Sequence, residues 1–115
     1  MIGEFDMLAD YFWEREGKFC LVREDEGFAK YSINGDECYI EDIYVVPEKR
    51  KTGIASQMAD EIAASAKDHG CKYLVGSVAP EARGSTESMK VLLAYGMRIH
   101  SINHEKRLII MAKEI

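Results

Sequence analysis

The stretch Val45-Val46-Pro47-Glu48-Lys49-Arg50-Lys51-Thr52-Gly53-Ile54-Ala55 combines the features that best suit an oxyanion. An apolar segment ends at a proline, a basic turn follows, and an alanine-rich segment begins after Gly53. A helix starting there presents unpaired N–H groups and a partial positive charge, Gly53 lets backbone approach an anion closely, and Arg50 and Lys51 add formal charge. The expected ligand is a diphosphate cradled at this turn. Arg-x-x-Gly-x-Ala alone recurs by chance in basic loops, so its weight comes from having a strand before it and a helix after it. The glycine patterns of Walker-type and dinucleotide sites are absent, which turns the reading away from ATP and NAD.

The elements around this turn can be read from periodicity. Ile2, Phe5, Leu8 and Phe12 recur at helical spacing and predict an amphipathic helix over about 3–15, ended by Gly17. Segments 19–24 and 28–33 read as strands joined by Asp25-Glu26-Gly27. Asn34-Gly35 is a strong hairpin signal leading into a third strand, 37–46, which Pro47 closes. A helix over 53–68, carrying Ile54, Met58 and Ile62, ends near Gly70, and a strand over 72–79 follows. Strand, crossover helix and strand in this order form a right-handed βαβ unit with the two strands parallel. Ser85 is expected to cap a further helix that buries Met89, Leu92 and Leu93 and stops at Gly96. Segments 97–102 and 107–112 form a closing hairpin around 103–106.

Composition agrees with one globular domain over 1–115. Of the 115 residues, 47% are hydrophobic and 10% aromatic, too many for a disordered chain. No apolar run approaches the ~18 residues of a membrane span, and the acidic N-terminus does not read as a signal peptide, so a cytoplasmic location is expected. Three cysteines without metal-type spacing, Cys20, Cys38 and Cys71, read as reduced thiols, and His100 and His104 lack the ligand set of a metal site. His69, just before Gly70, suits a helix C-terminus. The net charge of -5 opposes nonspecific nucleic-acid binding. It is uneven: residues 1–42 carry twelve acids against four bases, and the rest is mildly basic.

Arg50, Gly53 and Ala55, preceded by the strand Tyr39-Ile40-Glu41-Asp42-Ile43-Tyr44-Val45-Val46-Pro47, resemble the signature of the GNAT superfamily of N-acyltransferases. Ser88-Met89-Lys90 through Gly96-Met97 also looks like that superfamily's later helix. The likeness spans about 19–112 in element order. It implies an α/β (α+β) fold with a mixed, largely antiparallel sheet, a central βαβ unit and splayed parallel strands. It also implies acetyl-CoA as acyl donor, with backbone at Ile43, Tyr44 and Val45 pairing to the pantetheine arm and Arg50, Lys51, Thr52, Gly53, Ile54, Ala55 and Ser56 around the diphosphate. Ser85 stands where relatives often have an asparagine beside the cofactor.

Transfer of an acyl group to an amine with pKa about 10.4 needs a proton acceptor. The resemblance places Glu41 and Asp42 in that role, Glu41 first. Side chains alternate along a strand, so only one of the two should face the pocket unless a bulge intervenes. Both being solvated strand acids is the alternative. The superfamily's acid, a tyrosine four residues before the glycine of the later helix, is Leu92 here; either Tyr95, another hydroxyl or water protonates the leaving thiolate, or the domain binds cofactor without efficient turnover and Tyr95 serves packing. The part before Phe19 is short for this superfamily, which implies an open acceptor site or one completed by a partner, and Tyr11, Phe12 and Trp13 either pack on the sheet or make a homodimer contact. The function so implied is transfer of acetyl to a primary amine, of a small molecule or peptide. The alternatives are a noncatalytic CoA-binding module and acyl or aminoacyl modification of a nucleobase.

Overall fold

The computed structural model describes residues 4–115; Ile2, expected on the apolar face of the first helix, lies outside them. In chain order the elements are helix α1 (Glu4–Glu16), strands β1 (Phe19–Arg23), β2 (Gly27–Asn34) and β3 (Glu37–Val45), helix α2 (Ile54–Asp68), strand β4 (Tyr73–Val78), helix α3 (Ser85–Tyr95) and strands β5 (Arg98–Asn103) and β6 (Leu108–Glu114). The strands form one sheet in the order β1-β2-β3-β4-β6-β5. Among the described residues only β3 and β4 run parallel, so the sheet is mixed and largely antiparallel, as expected. Among the described residues, no helix is long and apolar enough to cross a membrane.

Alternation sorts the strand side chains. Ala29, Tyr31, Cys38 and Leu74 point to one face and meet Ile54, Met58, Ile62 and Ala66 of α2 in the larger core cluster. Val78, Met97 and Met111 form a smaller cluster beneath α3, with Met89 and Leu92 packed against it. Lys30 alternates to the opposite face, where its ammonium lies 4.8 Å from the Phe12 ring and 3.3 Å from Glu16, so α1 covers the side away from α2. Trp13 packs its ring 5.1 Å from Phe19. Tyr11 is half exposed.

Three local expectations are corrected. The β2–β3 turn pairs Asn34 with Glu37, so its central residues are Gly35 and Asp36 rather than Asn34 and Gly35. Gly35, at φ 64°, fills the first central position, where a positive φ costs a glycine little. Ser85 does not cap α3: Gly84 holds the cap position at φ 79°, and the Ser85 hydroxyl donates to the Pro80 carbonyl at 2.9 Å. Leu93, expected to be buried, is 42% exposed, because Met89, Leu92 and Tyr95 are the α3 side chains that pack over the small cluster.

Candidate functional site

The site begins where two parallel strands part. β3 pairs with β4 only through Glu37–Tyr73, Cys38–Leu74 and Tyr39–Val75. Beyond Tyr39, β3 keeps its pairing with β2 while Gly76, Ser77 and Val78 of β4 stay paired with β6. The facing edges, Ile40–Val45 and Gly76–Val78, therefore carry no ladder to each other. Such a wedge offers backbone donors and acceptors to an extended ligand, as an added strand would use them. The outer edge of β3 is held tightly: a Cβ on Gly27 would run into the Tyr44 carbonyl, so only glycine lets β2 approach there.

A bulge lies in the splayed half of β3. Lys30 pairs with Asp42 and Tyr31 with Ile40, leaving Glu41 as an extra residue. This is the irregularity under which alternation stops dividing the two acids. Asp42 shares the α1 side of the sheet with its cross-strand partner Lys30. Glu41 also turns to that side, where Lys18 Nζ donates to its Oε1 at 2.6 Å. Lys18 lies 3.8 Å from Glu16, which in turn contacts Lys30, giving a short chain of ion pairs at the end of α1. The hydrogen bond from Lys18 to Glu41 raises the lysine's pKa; desolvation opposes the rise, and the nearby Glu41 and Glu16 charges add to it.

At the carboxyl end of β3, Val46 N–H donates to the Glu26 carbonyl at 2.8 Å, and a short 3₁₀ turn, Pro47–Lys49, redirects the chain. Arg50 Nε donates to the Val45 carbonyl at 2.9 Å and its guanidinium lies 5.6 Å from the Tyr44 ring. Thr52 closes the turn by donating its hydroxyl to the Lys49 carbonyl. Lys51 and Gly53 take positive φ values of 64° and 87°. Gly53 caps α2 without any side-chain hydrogen bond, so the first amides of the helix, from Ile54 to Ser56, are left for another acceptor. A Cβ on Gly53 would meet nothing within 4 Å, so the space beside this glycine is open. Unpaired amides, an αL glycine and clear space fit a diphosphate.

Tyr95 has another occupation. Its hydroxyl donates to Asp60 Oδ1 of α2 at 2.7 Å, and burial first, then that hydrogen bond, raises its pKa well above the usual phenol range. It joins α3 to α2 and packs against both core clusters. His69 stands at the C-terminus of α2, where Nδ1–H donates to the Ser65 carbonyl at 2.8 Å. Cys38 is buried, and desolvation pushes its thiol up to about 12.

Sequence reasoning missed Lys18 and Asp60. Lys18 lies 23 positions from Glu41, and no spacing rule signals an ion pair across two strands. Asp60 sits on the polar side of α2, where its one distinguishing feature is a partner on another helix. A third omission is Tyr39, whose hydroxyl lies 2.6 Å from Ser77 Oγ where the strands begin to part.

Comparison with known proteins adds three findings. The model of the Acetyltransferase (GNAT) family matches residues 2–91. A thialysine N-epsilon-acetyltransferase from Bos taurus is 34% identical over 90 residues, 64% of this chain and 53% of its own length, so the chain spans about half the length of this curated relative. Among solved structures, a GNAT-family protein from Desulfovibrio desulfuricans superposes with a TM-score of 0.78 at 16% identity, over 95% of this chain and 77% of its own. An acetyltransferase from Bacillus subtilis in complex with CoA gives 0.71 at 14% identity, over 95% and 83% of the two chains. A GNAT-family acetyltransferase from Elizabethkingia anophelis with acetyl-CoA bound gives 0.71 at 19%, over 95% and 82%. At such identities the likeness is one of fold.

Proposed function

Because the chain belongs to the GNAT acetyltransferase family, we propose that it is an N-acetyltransferase that moves acetyl from acetyl-CoA to a primary amine by direct attack. The observation that carries this reading is the wedge between β3 and β4, opening beside a helix start whose amides have no side-chain cap. The relatives from Bacillus subtilis and Elizabethkingia anophelis hold CoA and acetyl-CoA, and the bovine relative is named for acetyl transfer to an amine.

In this reading the amides from Lys51 to Ser56 bind the diphosphate, with Arg50, Lys51 and Thr52 at its rim and Ser85 at the start of α3. The edge of β3 at Ile43, Tyr44 and Val45 aligns the pantetheine arm, and an N–H near Val45 faces the acyl oxygen. The bound thioester supplies an activated carbonyl. Arg50 must release the Val45 carbonyl if that group is to pair with the arm. Glu41 accepts the amine's proton, with Asp42 as the second candidate. Glu41 already holds a primary ammonium, that of Lys18, so the site recognises the acceptor's chemistry, and an incoming amine would displace Lys18. The acidic first third of the chain favours a cationic acceptor and disfavours nucleic acid. Three free cysteines, two of them buried, suit a reducing cytoplasm. Residues 1–115 act as one domain in this account, and the exposed Tyr11 and Trp13 suit a homodimer contact.

The test is calorimetric titration with acetyl-CoA followed by thiol release with a panel of primary amines. Gly53→Glu should abolish acetyl-CoA binding, while Glu41→Gln should keep it and lower turnover by about 10²-fold. Tight binding with no thiol release on any amine would favour a noncatalytic CoA-binding module. Unchanged affinity in Gly53→Glu would remove the diphosphate from this helix.

A further inference from the structure

The reaction above needs a proton for the departing thiolate, and the two tyrosine-based sources suggested by the sequence do not supply one. Leucine stands at position 92, and the Tyr95 hydroxyl is engaged in donating a hydrogen bond to Asp60 of α2. We infer that the hydroxyl pair Tyr39–Ser77, which bridges the two strands where they separate, is the proton donor to the leaving sulfur. This rests on the acetyl-transfer reading just given.

Position carries the argument. Tyr39 is the last residue of β3 registered with β4, opposite Val75, and Ser77 lies two residues further along β4, beyond the last parallel pair. A contact of 2.6 Å between Tyr39 Oη and Ser77 Oγ therefore sets both hydroxyls at the apex of the wedge. Cys38 and Ile40, the neighbours of Tyr39, turn toward α2, so the phenol faces the other side of the sheet, the side on which Glu41 meets Lys18. Proton acceptor and proton donor thus flank one opening from the same face. Both residues are half-buried, and Val75 between them is nearly covered.

The chemistry is that of a relay. A hydroxyl pair has two donors and spare acceptor capacity. With Ser77 donating to the phenolic oxygen, the Tyr39 O–H is free to point into the wedge. As the C–N bond forms and the C–S bond breaks, the sulfur receives the Tyr39 proton, Tyr39 is replenished through Ser77 from solvent, and the proton lost by the amine passes to Glu41 and then to solvent. Only one acetyl moves and no redox partner is required. A thiol of pKa about 8.5 is already a fair leaving group, so the contribution belongs at the low end of the range for acid catalysis, about 10²-fold.

The experiment compares Tyr39→Phe, Ser77→Ala and the unaltered protein with two acyl donors: acetyl-CoA, and an acetyl thioester of CoA shape whose leaving thiol is more acidic. Melting temperature and acetyl-CoA affinity by calorimetry are measured alongside. Tyr39→Phe should lower kcat with acetyl-CoA about 10²-fold while leaving affinity within about threefold, and the deficit should shrink with the more acidic thiol, because a better leaving group needs less help. Ser77→Ala should show the same donor dependence at smaller size. A kcat unchanged in Tyr39→Phe, or a deficit equal with both donors, overturns the assignment and leaves the pair a structural clasp. If Tyr39→Phe fails to fold, Ser77→Ala decides by the same donor comparison. An unaltered protein that binds acetyl-CoA and turns over with Tyr39→Phe equal to it sinks this inference alone. One that does not bind acetyl-CoA sinks the acetyl-transfer reading as well.

Discussion

The two helices on the covered face of the sheet, α2 and α3, make opposite use of their side chains. α2 buries Ile54, Met58, Ala59, Ile62 and Ala66 across four turns, whereas no residue of α3 is buried. The first helix is part of the core and fixes the Gly53 turn by its own packing; the second rests on three buried residues and is tied down by the Tyr95–Asp60 hydrogen bond and the Lys113 ammonium donating to the Tyr95 carbonyl at 3.1 Å. Anion binding at a helix start needs amides that stay in place, and the helix start proposed for the diphosphate is anchored in the thick half of the core. Local opening draws on regions with few buried contacts. Here that region is α3 with the β5 edge.

The contrast is broken most directly by core truncation. Met58→Ala should cost about 2–5 kcal/mol, and Met97→Ala should fall at the low end of that range because its smaller cluster can close around the gap. Urea unfolding of both measures the difference, and equal losses would mean that the two halves are one cooperative core. A second probe is pH. Cys38 and Cys71, both in the larger cluster, have thiols pushed up by burial. A thiol held neutral by folding contributes stability that is fully present below its unfolded pKa, near 9, and is lost as pH rises towards the folded value, about 12 for Cys38. Urea midpoints should therefore fall between pH 9 and 12, with a shallower slope in Cys38→Ala. The smallest effects belong to α3. Tyr95→Phe should cost about 0.5–1.5 kcal/mol through the lost bond to Asp60 while turnover persists, and Leu93→Ser should stay within about 0.5 kcal/mol. Abolished turnover in a folded Tyr95→Phe protein would return that phenol to the chemistry.

Much of this architecture was legible in the residues. The 3.6-residue spacing of Ile54, Met58 and Ile62 marks a buried helix face, and Gly17, Gly70 and Gly96 stop their helices at positive φ. The αL capping of α2 by Gly53 also follows from a glycine placed between a basic turn and an alanine-rich run. What escaped were features set by pairing between distant segments. Nothing in Asn34-Gly35-Asp36 says which two residues span the turn until the register with Glu37 is fixed. Leu93 has the composition of a core residue, but the face it occupies is decided by how little sheet α3 has to cover. The couplings of Glu41 to Lys18, Tyr95 to Asp60 and Tyr39 to Ser77 join residues more than twenty positions apart, and periodicity is blind at that range.

The bulge at Glu41 has a consequence beyond the carboxylate it displays. An extra residue changes the parity of the strand: Ile43 and Val45 reach the apolar side together with Cys38 and Ile40, although odd and even positions should part company. Deleting Glu41 would therefore remove more than one acid. It would close the bulge and straighten the strand, with Ile40 and Asp42 becoming neighbours and strict alternation keeping Ile43 and Val45 on the apolar side. Glu41 is thus both a chemical group and a unit of length, and a substitution and a deletion at that position are different experiments.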